Sequence, residues 1–312
     1  MAPAPTGTVL PPPPLNGAAP GAYGASTSAN PFASWFPGAG NPPYQRLFQD
    51  TGARYTWLAG DSGEELDLNE IEITSSLVFQ NFARSDHGLR VSPGFIFDFT
   101  SGPSPPPATV TADVPAQLYS AYLDSSWDPR FGQRFGADLD FRIGVYSDFK
   151  TATTDTIRLT GTGVGLMQIN PTMTLKLGAT YLDRVDLKLL PAFGVLWEPD
   201  ARSRWDLFFP SPKISKYFTT MGNADLWWYV GGEYGGSSWS IERTDHPEKG
   251  RSDRLDINDI RVFGGVDWHG LNLRHGFLEL GYVFERELVY YLVPAENLSL
   301  DETVMIRAGF FF

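Results

Sequence analysis

Cysteine is absent from this 312-residue chain. That excludes a disulfide scaffold, a zinc-thiolate site and a cysteine nucleophile. Charged residues are scarce, at 19%, which does not suit a disordered polyelectrolyte. Positive charge is the minority sign: 24 Lys and Arg face 36 Asp and Glu, a net charge of -12 that argues against a nucleic-acid partner. No stretch approaches the roughly 18 consecutive apolar residues of a membrane helix. The start, MAPAPTGTVLPPPP, lacks the basic and apolar regions of a signal peptide. An exported protein of this sequence is therefore expected to have had its signal removed. Histidines number only four. None stands in a His-Glu-x-x-His spacing, and no phosphate-cradling glycine motif accompanies them. No metal or other cofactor is expected.

What the chain does contain is turn formers and aromatics. There are 32 Gly, 25 Pro and 14% aromatic residues, a composition of strands and turns. Residues 1–54 are rich in Pro, Gly, Ala and Ser, and the run Pro11 to Pro14 favours polyproline II. This segment reads as a linker or an arm, with Trp35, Phe36 and Tyr44 as candidate anchors for a partner. The remainder, 55–312, reads as one domain.

From about residue 66 the hydrophobic period becomes two. Leu139, Phe141, Ile143 and Val145 alternate with Asp138, Asp140, Arg142 and Gly144; Leu278, Leu280 and Tyr282 alternate with Glu279, Gly281 and Val283. About twelve such segments follow one another, many of them ten residues or longer. Globular strands average about five or six, whereas a tilted strand crossing a bilayer needs about ten. One face is Leu, Ile, Val and Phe, with Trp127, Trp197, Trp205, Trp228, Trp239 and Trp268 as candidates for interfacial girdles. The opposite face carries carboxylates and guanidiniums among Gly, Ser and Thr. The expected fold is an all-β, closed, antiparallel transmembrane barrel of about twelve strands, because an open sheet edge in hydrocarbon would leave backbone groups unpaired.

The polar face predicts a lumen lined by Arg90, Asp98, Asp138, Asp140, Arg142, Lys176, Glu233, Asp259, Arg261, Glu279, Glu285 and Arg307. Such a lining serves either a small porin or solute channel, or a barrel plugged by its own ion pairs that anchors a larger envelope assembly. Twelve strands lie between the filled eight-stranded barrels and the open porins of about sixteen, so both readings stand. The chain ends VMIRAGFFF, with Ile306, Ala308, Phe310 and Phe312 on the apolar face. That alternation with a terminal aromatic resembles the assembly signal of outer-membrane barrels. The expected partners are accordingly outer-membrane lipid, the barrel-assembly machinery, and envelope proteins reached by the arm or loops. The expected location is the outer membrane with both termini periplasmic, the 241–254 connector extracellular, and 101–116 and 211–223 periplasmic.

The segments LLPAFGVLWEPDARSRWDLFFPSPKI (189–214), WWYVGGEYGGSSWSIER (227–243), GFLELGYVFERELVYY (276–291) and DETVMIRAGFFF (301–312) resemble an uncharacterised planctomycete-type family of outer-membrane barrels. The resemblance spans about 54–312. It implies a barrel, export and the outer membrane, and it implies no activity. Enzymatic barrels are not expected. A phospholipase-like His with Ser two residues on is missing, since Leu89, Glu248, Leu271 and Phe277 follow the four histidines at that spacing. Asp245-His246, with Glu248 and Asp253 near it, reads as a solvated charged loop rather than as an omptin-like protease site.

Overall fold

A computed structural model describes residues 48–60, 65–80, 82–84, 88–103, 112–132, 134–150, 156–244, 248–270 and 274–312. The strands are β1 (Phe48–Leu58), β2 (Asp67–Phe79), β3 (Leu89–Ser101), β4 (Gln117–Trp127), β5 (Arg130–Phe131), β6 (Phe135–Ser147), β7 (Ile157–Asn170), β8 (Met173–Tyr181), β9 (Leu189–Asp200), β10 (Ser203–Phe209), β11 (Lys213–Met221), β12 (Ala224–Glu242), β13 (Ser252–His269), β14 (His275–Tyr290), β15 (Leu298–Leu300) and β16 (Thr303–Phe311). Apart from the short β5 and β15, they form a closed antiparallel barrel of fourteen strands. Its seam joins β1 to β16, from Gly52 opposite Phe311 to Leu58 opposite Met305. Among the described residues no helix is long and apolar enough to cross a membrane.

The count of about twelve is corrected by two strands whose alternation is weak. β1 straddles the end of the 1–54 segment, so the barrel begins at Phe48 and not at residue 55. Its register slips between Phe48 and Asp50, and a glycine and two charges dilute its pattern. β11 is only nine residues long and follows two prolines. A slip between Tyr217 and Thr219 breaks its period.

The two added strands also settle the connectors. The start of β1 and the end of β16 share one rim, here termed the near rim. Its connectors are 80–88, 128–134, 171–172, 201–202, 222–223 and 270–274. The far rim carries 59–66, 102–116, 148–156, 182–188, 210–212, 243–251 and 291–302, most of them longer. The segment 102–116, expected on the side of the termini, lies opposite them, because β1 adds one crossing before it. Most of 211–223 is strand β11 and not a connector at all. The 243–251 connector lies opposite the termini, as expected.

The outward face is apolar from strand to strand: Phe95, Phe141, Leu177, Phe193, Leu207, Val230, Val262, Leu280 and Val304 are exposed. A belt this continuous is far larger than the apolar patches of water-soluble monomers. Trp205 and Trp228 lie on this outer face and are exposed, and Trp197 meets Trp205 edge-on at 5.1 Å. Trp239 is a correction. It is 1% exposed and packs inside the far end of the barrel.

At that far end the two-residue alternation of β12 and β13 stops. Gly235–Ile241 and Leu255–Asp259 are buried at every position. Trp239, Ile241, Leu255, Ile257, Leu288 and Tyr290 pack against Ile96, Leu118, Tyr122 and Tyr146 of the opposite wall. The barrel is therefore roofed at this rim by its own strands.

Candidate functional site: the charged lumen

Strand spacing of about 4.8 Å and a tilt of about 40° would make a circular fourteen-stranded barrel roughly 28 Å across at Cα. Such a cylinder could hold a water column. The lining residues are instead almost inaccessible, so side chains occupy the space. Period-two alternation aims them inward, and cross-strand register brings opposite charges together.

Three groups of ion pairs result. On β1 and β2, Arg54 Nη2 reaches Glu70 at 3.0 Å and Glu72 at 2.9 Å, while the Tyr122 hydroxyl donates to Glu72. On β4 and β6, Asp124 and Arg142 are register partners. Arg142 donates from Nε to Oδ1 at 2.5 Å and from Nη2 to Oδ2 at 2.7 Å, with its guanidinium 3.7 Å from the centroid of the Tyr122 ring. On β12, β13, β14 and β16, Arg307 joins Glu233 at 2.7 Å and Glu279 at 2.5 Å. There Arg261 holds Asp259 at 2.6 Å, and the Tyr229 hydroxyl donates to Glu279 at 2.7 Å. Lys176 and Asp206 make a further buried pair at 2.8 Å. Paired groups are the only cheap way to keep charge away from water.

Most of the expected lining faces inward. Asp98, Arg142, Lys176, Asp259, Arg261, Glu279 and Arg307 are buried, and Glu233 is partly so. Arg90, Asp138 and Asp140 are partly exposed toward the near rim, where Asp138 meets Arg130 at 3.2 Å. Asp98 lies opposite Glu70 in register, and neither of its oxygens has a hydrogen-bond partner among the described residues. Glu285 is a correction: it is exposed on the outer face. It takes a φ of +49° where the β13–β14 register slips between Asn258 and Ile260. That slip reverses inside and outside, so Arg286 is buried in its place.

Sequence reasoning missed Arg54, Glu70 and Glu72. Glu70 and Glu72 were legible, since they alternate with Ile71 and Ile73; Arg54 was hidden by the arm boundary. At the chain end, Ile306, Phe310 and Phe312 are exposed outward and Ala308 partly so.

Of the histidines, His87 and the Asp245-His246 pair lie outside the described residues. His269 Nε2 is 3.2 Å from Asp267 Oδ1, and His275 stacks on Phe311 at 4.6 Å between ring centroids. Glu248 and Asp253, the acids near Asp245-His246, are paired with Arg251 and Arg243. Among the described residues no group of three or more His, Cys, Asp or Glu is placed to hold a metal ion.

Fold and lining together define a transmembrane-type antiparallel barrel with an apolar exterior and an ion-paired interior. No family model and no curated protein matches the chain. Among solved structures it is similar to an outer membrane channel from Pseudomonas putida F1, at 11% identity and a TM-score of 0.41, covering 88% of this chain and 98% of that one. It is also similar to LpxR from Salmonella typhimurium, at 9% identity and a TM-score of 0.37, covering 85% and 99%. A third is the Acinetobacter baumannii outer membrane protein Omp33, at 7% identity and a TM-score of 0.30, covering 86% and 100%.

Proposed function

We propose that the chain is an integral outer-membrane barrel, its near rim toward the periplasm, that conducts small polar solutes through the charged lumen and is closed in the conformation described. The orientation rests on connector length, since such barrels keep short turns on the periplasmic side and long loops outside. The observation that carries the channel reading is the chemistry of the inner face. A barrel that only needs filling is filled at lower desolvation cost by apolar side chains than by ion pairs. This one places carboxylates and guanidiniums on facing strands at mid-height. Among the described strand residues, eleven acids are buried (Asp50, Glu70, Glu72, Asp98, Asp124, Asp206, Asp253, Asp256, Asp259, Asp267 and Glu279), with Glu233 partly so, against eight buried bases (Arg54, Arg142, Arg158, Lys176, Arg204, Arg261, Arg286 and Arg307). The fixed negative excess favours cations. In this reading the outward residues of β16 and the terminal Phe312 are recognised by the barrel-assembly machinery, and the Pro-rich arm or the far-rim loops meet other envelope proteins.

A second reading, a structural barrel anchoring an envelope assembly, is favoured by the near-complete burial of that same lining. Planar bilayers separate the two. A channel gives single-channel steps and a reversal potential of cationic sign under a salt gradient, weakened by Asp140→Asn and Glu279→Gln. Folded protein that gives no steps in several lipids would sink the channel reading and leave the structural one.

A further inference from the structure

β12 leaves the barrel wall at a defined place. Its neighbour β11 begins at Lys213, opposite Gly231, and Gly232 N–H donates to the Pro212 carbonyl at 2.9 Å just above that last rung. Beyond it the edge carbonyls of β12 need another donor. Arg184, from the 182–188 connector, supplies it. Its buried guanidinium donates to the carbonyls of Gly235, at 3.0 Å, and of Gly236 on β12, and to Ile257 on β13 at 2.7 Å. The bend there depends on glycine: Gly236 has a φ of +88°, and a Cβ would collide with the Ile257 carbonyl oxygen.

Past the bend, the strand crosses the mouth. Ser240 makes a parallel bridge to Ser147 at the end of β6. β6 stands six strands from β12 one way round the barrel and eight the other, so it belongs to the opposite wall. Asp148 N–H donates to the Ser240 carbonyl at 3.3 Å, Glu242 N–H donates to Asp148 Oδ2 at 3.0 Å, and Trp239 Nε1 donates to Ser120 Oγ at 3.3 Å. The base of the hairpin loop is held by Arg243, which reaches Asp113 at 3.0 Å, Asp253 at 2.9 Å and Glu296. Burial works against that charge, but the hydrogen bonds it donates to Glu296, Asp253 and Asp113 outweigh this and raise the Arg243 pKa above its ordinary value.

These contacts are unequal. Below the bend β12 is laddered on both sides, to β11 and to β13, and Arg184 adds four hydrogen bonds at the bend itself. The tip meets the far wall without a ladder, through one bridged pair, a few hydrogen bonds, the Arg243–Asp113 ion pair and the apolar packing of Trp239 and Ile241. A segment laddered to the wall at its root but only packed and pinned at its tip can part from the far wall without losing its own strand pairing. We propose that the outer half of the β12–β13 hairpin is the gate of this barrel, with Gly235–Gly236 as its hinge and Ser147–Asp148 as its catch. Opening breaks the Ser240–Ser147 bridge and raises the hairpin to continue the wall, together with the end of β14 that stays paired to β13 as far as Tyr290. This rests on the channel reading and adds how the channel is regulated.

The absence of cysteine makes the test clean. Bridged residues lie about 4.8 Å apart at Cα, inside the range of about 4.4–6.8 Å that a disulfide spans. The variant Ser147→Cys/Ser240→Cys, Trp239→Ala and the unaltered protein are reconstituted in planar bilayers, each first checked for heat-modifiable migration. The gate predicts that the oxidised double variant, its cross-link verified by mass, gives no steps, and that reductant restores the openings of the unaltered protein. It predicts at least a severalfold rise in open probability for Trp239→Ala. If the cross-linked protein conducts as freely as the unaltered one, the gate is wrong and the channel reading survives. If no protein conducts, Trp239→Ala included, both are overturned.

Discussion

Whether the lumen is dry at mid-height can be tested through one ion pair. Asp124 and Arg142 are register partners, doubly hydrogen-bonded at 2.5 and 2.7 Å, and Arg142 is 2% exposed. Asp124→Ala strands a guanidinium away from water. Removing one partner of a buried pair costs about 3–5 kcal/mol, because the remaining charge keeps its desolvation penalty and loses its compensation. Replacing both, as Asp124→Leu/Arg142→Met, removes the stranded charge, and such replacements range from neutral to about 1–4 kcal/mol stabilising. The single variant should therefore be the less stable of the two by several kcal/mol. Reversible urea unfolding from lipid vesicles, followed by tryptophan fluorescence, measures both. In a water-filled lumen the pair would behave as an exposed one, worth about 0–1 kcal/mol. A single-variant cost below about 1 kcal/mol, with the double variant no better, would refute the dry lumen and imply a standing pore.

Three further outcomes follow from the same geometry. Leu280→Arg, at an outward position that is 63% exposed, should cost about 2–4 kcal/mol in the same unfolding assay, since a charge then enters hydrocarbon near mid-bilayer; a negligible cost would mean that the β14 face is not lipid-facing. Phe312→Asp should lower the yield of inserted, heat-modifiable barrel, because the outward aromatic end of the last strand is lost; normal insertion would remove its role in assembly. Single cysteines at Lys249 on the far rim and Asn223 on the near rim should react oppositely with an impermeant maleimide. Lys249→Cys should label on intact cells and Asn223→Cys only after the envelope is opened, and the reverse pattern would invert the orientation.

Alternation carries its information locally, and so most of the barrel was legible residue by residue. Long runs such as Leu139 to Val145 and Leu278 to Tyr282 name their inward and outward faces without any knowledge of neighbours. Burying one face while the other meets lipid leaves only one register for each strand. The composition pointed the same way: no helix long enough to span, many turn formers, and acid and base together on one face. Where alternation is diluted, the local signal fails. Asp50, Gly52 and Arg54 disguise β1, and the slip at Tyr217 disguises β11, yet both strands are demanded by closure, since their neighbours would otherwise have bare edges. The slip near Asn258 is likewise invisible in sequence, and it alone moves Glu285 outside and Arg286 inside.

Pairing across the lumen is a property of the closed ring and not of any strand. The sequence alone established that charges face inward, but which guanidinium meets which carboxylate depends on strands far apart in the chain, as Arg307 does with Glu233. The same holds for the roof. Trp239 alternates like a girdle residue, yet it lies inside because Gly236 bends β12 where β11 has already ended. Local periodicity determines the faces of a strand, and only the closed barrel decides where a strand must leave the wall.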